Sequence, residues 1–181
     1  MLNKPKLLSK KQVAKTRIFC VEELSLEFSN GEKRIYERMV SGGAGAVMIV
    51  PISDSYEFIL IREYSAGTDD YQLAFPKGLV DSGETALEAA NRELKEEVGF
   101  GASQLTQLKS MTLAPGYLTH TMNLVLAQNL YAEKLEGDEP EPLEVVYWPI
   151  DDIDGLLAQQ DFTEARSIAA LLIVDRLLTN S

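Results

Sequence analysis

Cysteine and histidine are nearly missing from this chain: one of each, Cys20 and His120, in 181 residues. A single cysteine excludes an internal disulfide and suits a reducing compartment. A single histidine is a poor basis for a metal site, and no partner for it is visible. Long apolar runs are also missing. The longest, Ile168 to Val174, falls far short of the ~20 residues of a membrane span. The lysine-bearing first twenty residues hold no apolar stretch long enough for a signal peptide. Positive charge is scarce, with 17 Lys and Arg against 28 Asp and Glu and a net charge of -11. That balance argues against non-specific binding to nucleic acid or to an anionic membrane. The expectation is a cytoplasmic protein with neither partner.

What is present fits one compact domain with a small N-terminal addition. Hydrophobic content of 45% and charged content of 25% are ordinary for a globular protein. Residues 1–15 read as a loose tail or an edge strand. From Arg17 a strand pattern begins, in which Leu24, Leu26 and Phe28 alternate with polar residues. Ser29-Asn30-Gly31-Glu32 is a hairpin turn by its Asn-Gly pair, and Lys33 to Val40 returns as the partner strand. Ser41 to Gly45 is a flexible joint. It divides an N-terminal β extension, residues 1–45, from a main domain, residues 46–181. Further strands are expected over 46–52, 56–64, 72–75, 105–113, 121–130 and 144–148. Helices are expected over 84–98, 151–160 and 163–178, the last largely buried. An acidic, proline-containing loop runs from Tyr131 to Leu143. This order is compatible with an α/β/α sandwich on a mixed sheet, although order alone does not decide topology.

The most informative stretch is Gly78 to Phe100. Gly78 to Gly83 is glycine-bounded and reads as a loop. Glu84 to Val98 is rich in strong helix formers, and Gly99 suits the residue just past a helix end. Leu87, Ala90, Leu94 and Val98 share one face. Glu93, Glu96 and Glu97 share a second stripe beside it. A solvated acidic face is the ordinary explanation of such a helix. Three like charges this close repel, however, and their gathering suggests a cation among them. Oxygen-only ligands suit a hard ion such as Mg²⁺.

The full spacing decides between the two. Gly78, Glu84, Arg92, Glu93, Leu94, Glu96, Glu97, Gly99 and Phe100 match the box of the Nudix hydrolase superfamily at every position. A chance match at a given start is roughly one in a hundred million. The resemblance extends to Ser29-Asn30-Gly31, Tyr36 to Met39, Ile61 to Thr68, Ala89 to Ala102 and Leu135 to Pro142. These stretches look like bacterial members acting on ADP-linked compounds. Two departures from the wider ADP-ribose pyrophosphatase pattern stand out. Ala74-Phe75-Pro76-Lys77-Gly78 replaces the usual Glu-Leu-Pro-Ala-Gly, and the later turn ends in His120. Both fit a broader range of ADP-linked substrates.

The resemblance implies the Nudix fold, an α/β class with an α/β/α sandwich and a mixed β-sheet. It implies hydrolysis of a diphosphate linkage in ADP-ribose, NADH or diadenosine polyphosphates, releasing AMP. Other nucleoside diphosphate or triphosphate derivatives, and a non-catalytic nucleotide-sensing role, are the alternatives. Glu93 and Glu97 become the principal ligands of Mg²⁺, with Mn²⁺ or Zn²⁺ as alternatives. Glu96, Glu141 and the backbone carbonyl of Lys77 or Gly78 are further candidates. Arg92 and Glu84 form a supporting ion pair. Among the acids of the late loop, Glu136, Asp138, Glu139 and Glu141, Glu139 is favoured to take the proton from water. Arg62, Tyr36, Glu37 and Arg38 are candidates for substrate contact, as is Gly116 in the turn from Ala114 to His120. His120 itself is either satisfied or solvent-facing, or touches a substrate phosphate. A homodimer is implied, with the extension crossing to its partner and covering exposed strand edges.

Overall fold

The structure is a computed structural model that describes residues 3–179. Along the chain run β1 (Lys6–Lys15), β2 (Cys20–Glu27), β3 (Lys33–Val40), β4 (Ala46–Pro51), β5 (Glu57–Ser65), β6 (Asp70–Ala74) and β7 (Lys77–Leu79). Then follow α1 (Ala86–Glu97), β8 (Phe100–Thr112), β9 (Thr121–Ala132), β10 (Glu144–Pro149), α2 (Ile153–Leu157) and α3 (Ala165–Thr179).

The aliphatic run Ala46-Val47-Met48-Ile49-Val50 becomes β4, buried along its whole length. Such unbroken runs belong to strands covered on both faces. β4 pairs in parallel with β9 and antiparallel with β7, and β9 pairs antiparallel with β8. The result is a mixed sheet in the order β7-β4-β9-β8. Beside it lies an antiparallel sheet, β10-β5-β6. Side chains alternate across a strand, and here the alternation sorts the core into two. Met48, Val50, Phe58 and Leu60 pack with Ala170, Leu171 and Val174 of α3. Val47, Ile49, Ile59 and Ile61 pack with Ala89, Ala90 and Leu94 of α1. Helix, sheet and helix therefore form the layers that the resemblance implied. Phe58, Phe75 and Phe162 fill the α3 side edge to face, with centroids 5.8 and 6.3 Å apart.

β1, β2 and β3 form a separate three-stranded meander. Its second hairpin turns at Gly31, whose φ of +84° favours glycine. The strands run in unbroken register from Cys20 opposite Val40 to Glu27 opposite Lys33. Residues 6–15 take the edge-strand alternative, wholly exposed. The extension is stitched to the rest where Met39 N–H donates to Tyr117 O (2.7 Å) and Thr119 N–H to Met39 O (3.0 Å).

Several expectations shift. Lys77 to Leu79 is a short strand rather than loop, because β4 offers it a free edge. β8 begins at Phe100, directly after α1, since Gly99 at φ +84° reverses the chain without a loop. α2 spans five residues only. Gly155 weakens it, and the chain leaves it so that Leu73 N–H can donate to Asp161 O (2.9 Å). α3 is less buried than its composition suggests, with Leu172 and Leu177 exposed. No helix among the described residues is long and apolar enough to cross a membrane.

Candidate active site

Thr85 starts α1 with a capping box. Glu88 N–H donates to Thr85 Oγ1 (3.2 Å), and Thr85 N–H donates to Glu88 Oε2 (2.8 Å). Leu94 and Ala90 then dock against the sheet and fix the helix rotation. Three residues beyond Leu94, Glu97 falls closer to the core than the stripe pattern suggested and is only 6% exposed. Its Oε2 accepts from the Lys77 backbone N–H at 2.9 Å. Burial pushes the Glu97 carboxyl up to about 8; the Glu93 and Glu63 charges add to this and Lys77 opposes it. A buried carboxylate short of positive charge is the condition a bound cation relieves.

Glu93 lies against β7. A Cβ on Gly78 would sit 1.9 Å from Glu93 Cδ, so only glycine leaves room for that carboxylate. Burial raises the Glu93 carboxyl, and the Arg92 guanidinium partly offsets it. Arg92 spreads across the site. Its Nε and Nη2 reach Glu84 at 2.8 and 3.0 Å, and Nη1 reaches Glu93 and Glu96 at 2.8 and 2.9 Å. Nη2 also donates to Leu79 O at 2.9 Å. One planar guanidinium thus ties the box loop to the helix. It holds the Glu84 carboxyl below the usual carboxylate range.

Two further groups complete the cluster. Glu63 accepts a short ion pair from Lys77 Nζ at 2.5 Å. Sequence reasoning missed it, although a signal was there. Ile59 and Ile61 face α1, so period two carries Glu63 to the same side. Glu139 approaches from the late loop. Burial raises its carboxyl, the Glu63 and Asp138 charges add to that, and Lys77 opposes them. The loop is pinned at its start by Glu133 N–H to Gly99 O (3.1 Å), Leu135 N–H to Lys95 O (3.2 Å) and Lys134 Nζ to Glu96 O.

Other candidates lie elsewhere. Arg62 has the opposite strand parity to Glu63. It pairs with Asp161 (2.8 Å) and with Glu144 (2.7 Å), its directly opposed neighbour on β10. Glu141 accepts from the Tyr71 phenol at 2.5 Å. Tyr36, Glu37, Arg38 and Gly116 do gather, in a groove of about 370 Å³ that Tyr117 and Leu24 also line. Arg38 is held there by Glu22 at 2.9 Å. Among the described residues, no hydrogen bond or ion pair joins that group to the box carboxylates. His120 lines a different cavity of about 570 Å³, between Ile18 and Phe19 of the extension and Leu79 to Ser82 of the box loop. Burial lowers the His120 imidazole, and the Arg166 charge lowers it further.

Among the described residues, no three acids converge tightly as a ready metal cage. Arg92 occupies Glu93 and Glu96, and the Lys77 N–H occupies one oxygen of Glu97. The donor set still fits a divalent cation. It is all hard oxygen, it includes a desolvated carboxylate, and Gly78 leaves the Glu93 carboxylate a cradle.

Comparison with known proteins agrees with this arrangement. The family profile described as the NudE-type Nudix hydrolase N-terminal domain matches residues 5–38, and that of the NUDIX domain matches residues 43–171. The ADP compounds hydrolase NudE of Escherichia coli (strain K12) is 57% identical over 173 residues, covering 96% of this chain and 92% of that one. The ADP-ribose pyrophosphatase of Bacillus subtilis (strain 168) is 28% identical over 173 residues, covering 92% of each. A crystal structure of an ADP compounds hydrolase superimposes with a TM-score of 0.92 at 54% identity, covering 99% of this chain and 97% of the other.

Proposed function

The chain belongs to the Nudix hydrolases, and from that premise we propose that it splits the diphosphate linkage of ADP-linked compounds and releases AMP. ADP-ribose, NADH and diadenosine polyphosphates are the substrates in this reading. The observation that carries it is the meeting of Glu63, Glu93 and Glu97 at Lys77 and Gly78, with Glu97 buried and the Glu139 charge felt by the same group.

The reaction adds water across a phosphoanhydride. The water oxygen bonds to one phosphorus, the bridging P–O bond breaks, and the water proton passes to an acceptor. Nudix hydrolases depend on a divalent metal. In our reading Glu93, Glu96, Glu97 and the Lys77 or Gly78 carbonyl would hold Mg²⁺, with Mn²⁺ or Zn²⁺ as substitutes, and the ion would supply neutralisation of phosphate charge and acidification of water. Glu139, raised by burial and by its acidic neighbours, takes the proton. Arg92 keeps Glu93 and Glu96 at the box loop while Gly78 leaves the space Glu93 needs. Tyr36, Glu37, Arg38 and Gly116 offer an aromatic face and polar contacts to adenine or ribose. Arg62 is left out, because Asp161 and Glu144 already engage it.

Residues 1–45 act in this reading as a pairing extension and residues 46–181 as the hydrolase domain. Ile18 and Ile35 are each 68% exposed on the extension, and a second copy of the chain would cover them. A reducing cytoplasm suits the lone Cys20.

A substrate panel with AMP detection tests the proposal, run in Mg²⁺, Mn²⁺ and Zn²⁺. ADP-ribose and NADH should be cleaved to AMP far faster than any nucleoside triphosphate. The reverse order would reject the proposed substrate class.

A further inference from the structure

We propose that Tyr71 is a positioning residue for the proton acceptor: its phenol latches the acidic loop and thereby sets where Glu139 lies. The inference rests on the role given to Glu139 above. The loop from Glu133 to Leu143 has no regular structure. Its first residues are pinned to the end of α1, and its last residue precedes β10. Between Leu135 and Glu144, one hydrogen bond holds it among the described residues. That bond runs from Tyr71 Oη to Glu141 Oε1 at 2.5 Å, across 70 residues of sequence.

The latch is mounted on a paired hairpin. Tyr71 and Tyr64 are opposed in the β5–β6 register. Their rings meet edge to face, with centroids 5.8 Å apart and planes at 70°. Tyr64 Oη in turn donates to Asp69 Oδ1 at 2.6 Å, inside the turn that joins the two strands. The same hairpin carries Glu63, so latch and cluster share one frame.

The loop can transmit that anchorage. Pro140 and Pro142 flank Glu141, and each ring locks its own φ. A residue before proline is also kept extended, which restricts Glu139 and Glu141 themselves. Fixing Glu141 therefore limits the positions open to Glu139, two residues away. A hydrogen bond to an ionised carboxylate is among the stronger kinds, so one such contact is enough to select a loop position. Small displacements of a reacting group have large kinetic effects.

Tyr71→Phe removes the oxygen and keeps the ring, so the tyrosine pair and hairpin survive. The expected result is a fall in kcat of about tenfold with KM changed by less than about twofold. NMR order parameters of the Asp138, Glu139 and Glu141 backbone should fall, while those of α1 and β5 stay unchanged. Glu141→Ala should match Tyr71→Phe, and the double variant should be no worse than either alone. Glu141→Gln keeps an acceptor oxygen and should recover part of the loss. Wild-type kcat and wild-type loop order parameters in Tyr71→Phe would overturn the proposal. So would a raised KM at unchanged kcat, which would make the phenol a substrate contact. Glu139→Gln separates the two readings. If it keeps full turnover, the proton-acceptor assignment and the latch fall together. If it is inactive beside a fully active Tyr71→Phe, the latch alone falls.

Discussion

The two strand systems of this molecule are built alike and supported differently. β4 is buried at every position between α1 and α3. β1 is exposed at every position, and no residue of β2 or β3 is fully buried. In the core, side-chain packing on both faces selects the register. In the extension, register rests on the backbone ladder, the Asn-Gly turn and a charge row in which Glu22 binds Lys10 at 3.2 Å and Arg38 at 2.9 Å. Exposed pairs of that kind contribute little. A three-stranded sheet needs an apolar face covered by something to be stable. The main sheet finds its cover within the chain, between α1 and α3, whereas the extension leaves Ile18 and Ile35 open to solvent.

The sharpest way to break this comparison is at Glu97, where burial and charge meet. Glu97→Gln keeps the shape and the acceptor for the Lys77 N–H. We expect turnover to fall by at least about a hundredfold in Mg²⁺ while the far-UV circular dichroism is unchanged. Unchanged turnover in a folded variant would remove Glu97 from the ligand set.

A smaller effect concerns stability. Burial pushes the folded Glu97 carboxyl up to about 8, from an ordinary value of about 4.5. The folded state therefore holds this proton more tightly, and the stability it confers is full below about 4.5 and lost as pH rises through about 8. In chelator, wild type should lose ground to Glu97→Gln across that window, by up to a few kcal/mol. Adding Mg²⁺ should return most of it near pH 8, because the ionised carboxylate then has a partner. Parallel melting curves of the two proteins in chelator from pH 5 to pH 8 would contradict this.

The smallest effect on folding belongs to the extension. Ile35→Glu places a charge on a side chain that is already 68% exposed. We expect the melting temperature of dilute protein to move by less than about 2 °C. Self-association measured by sedimentation should weaken by tenfold or more. A variant that stays associated would show that the partner covers some other surface.

The box helix was legible because its signals are local. Thr85 and Glu88 cap it, Leu94 and Ala90 face inward, and Gly99 ends it, all within one stretch of chain. The β2–β3 hairpin was legible for the same reason. Glu63, Lys77 and Glu139 come to the box from three separate elements, and no local pattern joins them. The partners of Arg62, Asp161 and Glu144, lie far along the chain, so the sequence did not reveal them. The contact of Glu141 with Tyr71 was not legible, because the two lie 70 residues apart.

By itself, the sequence determined the chemistry on offer: a carboxylate-bearing helix behind a glycine loop, a strand-rich chain of negative charge, and the family to which these belong. Spacing along one helix and alternation along one strand are short-range properties, and they survive without knowledge of the rest. The tertiary structure decided which carboxylates meet at Lys77 and Gly78, which are neutralised by arginine, and how deeply Glu97 is buried. Those outcomes depend on how sheets and loops from distant parts of the chain pack together. Burial, and with it the affinity of a carboxylate for a proton or a cation, is a property of that packing.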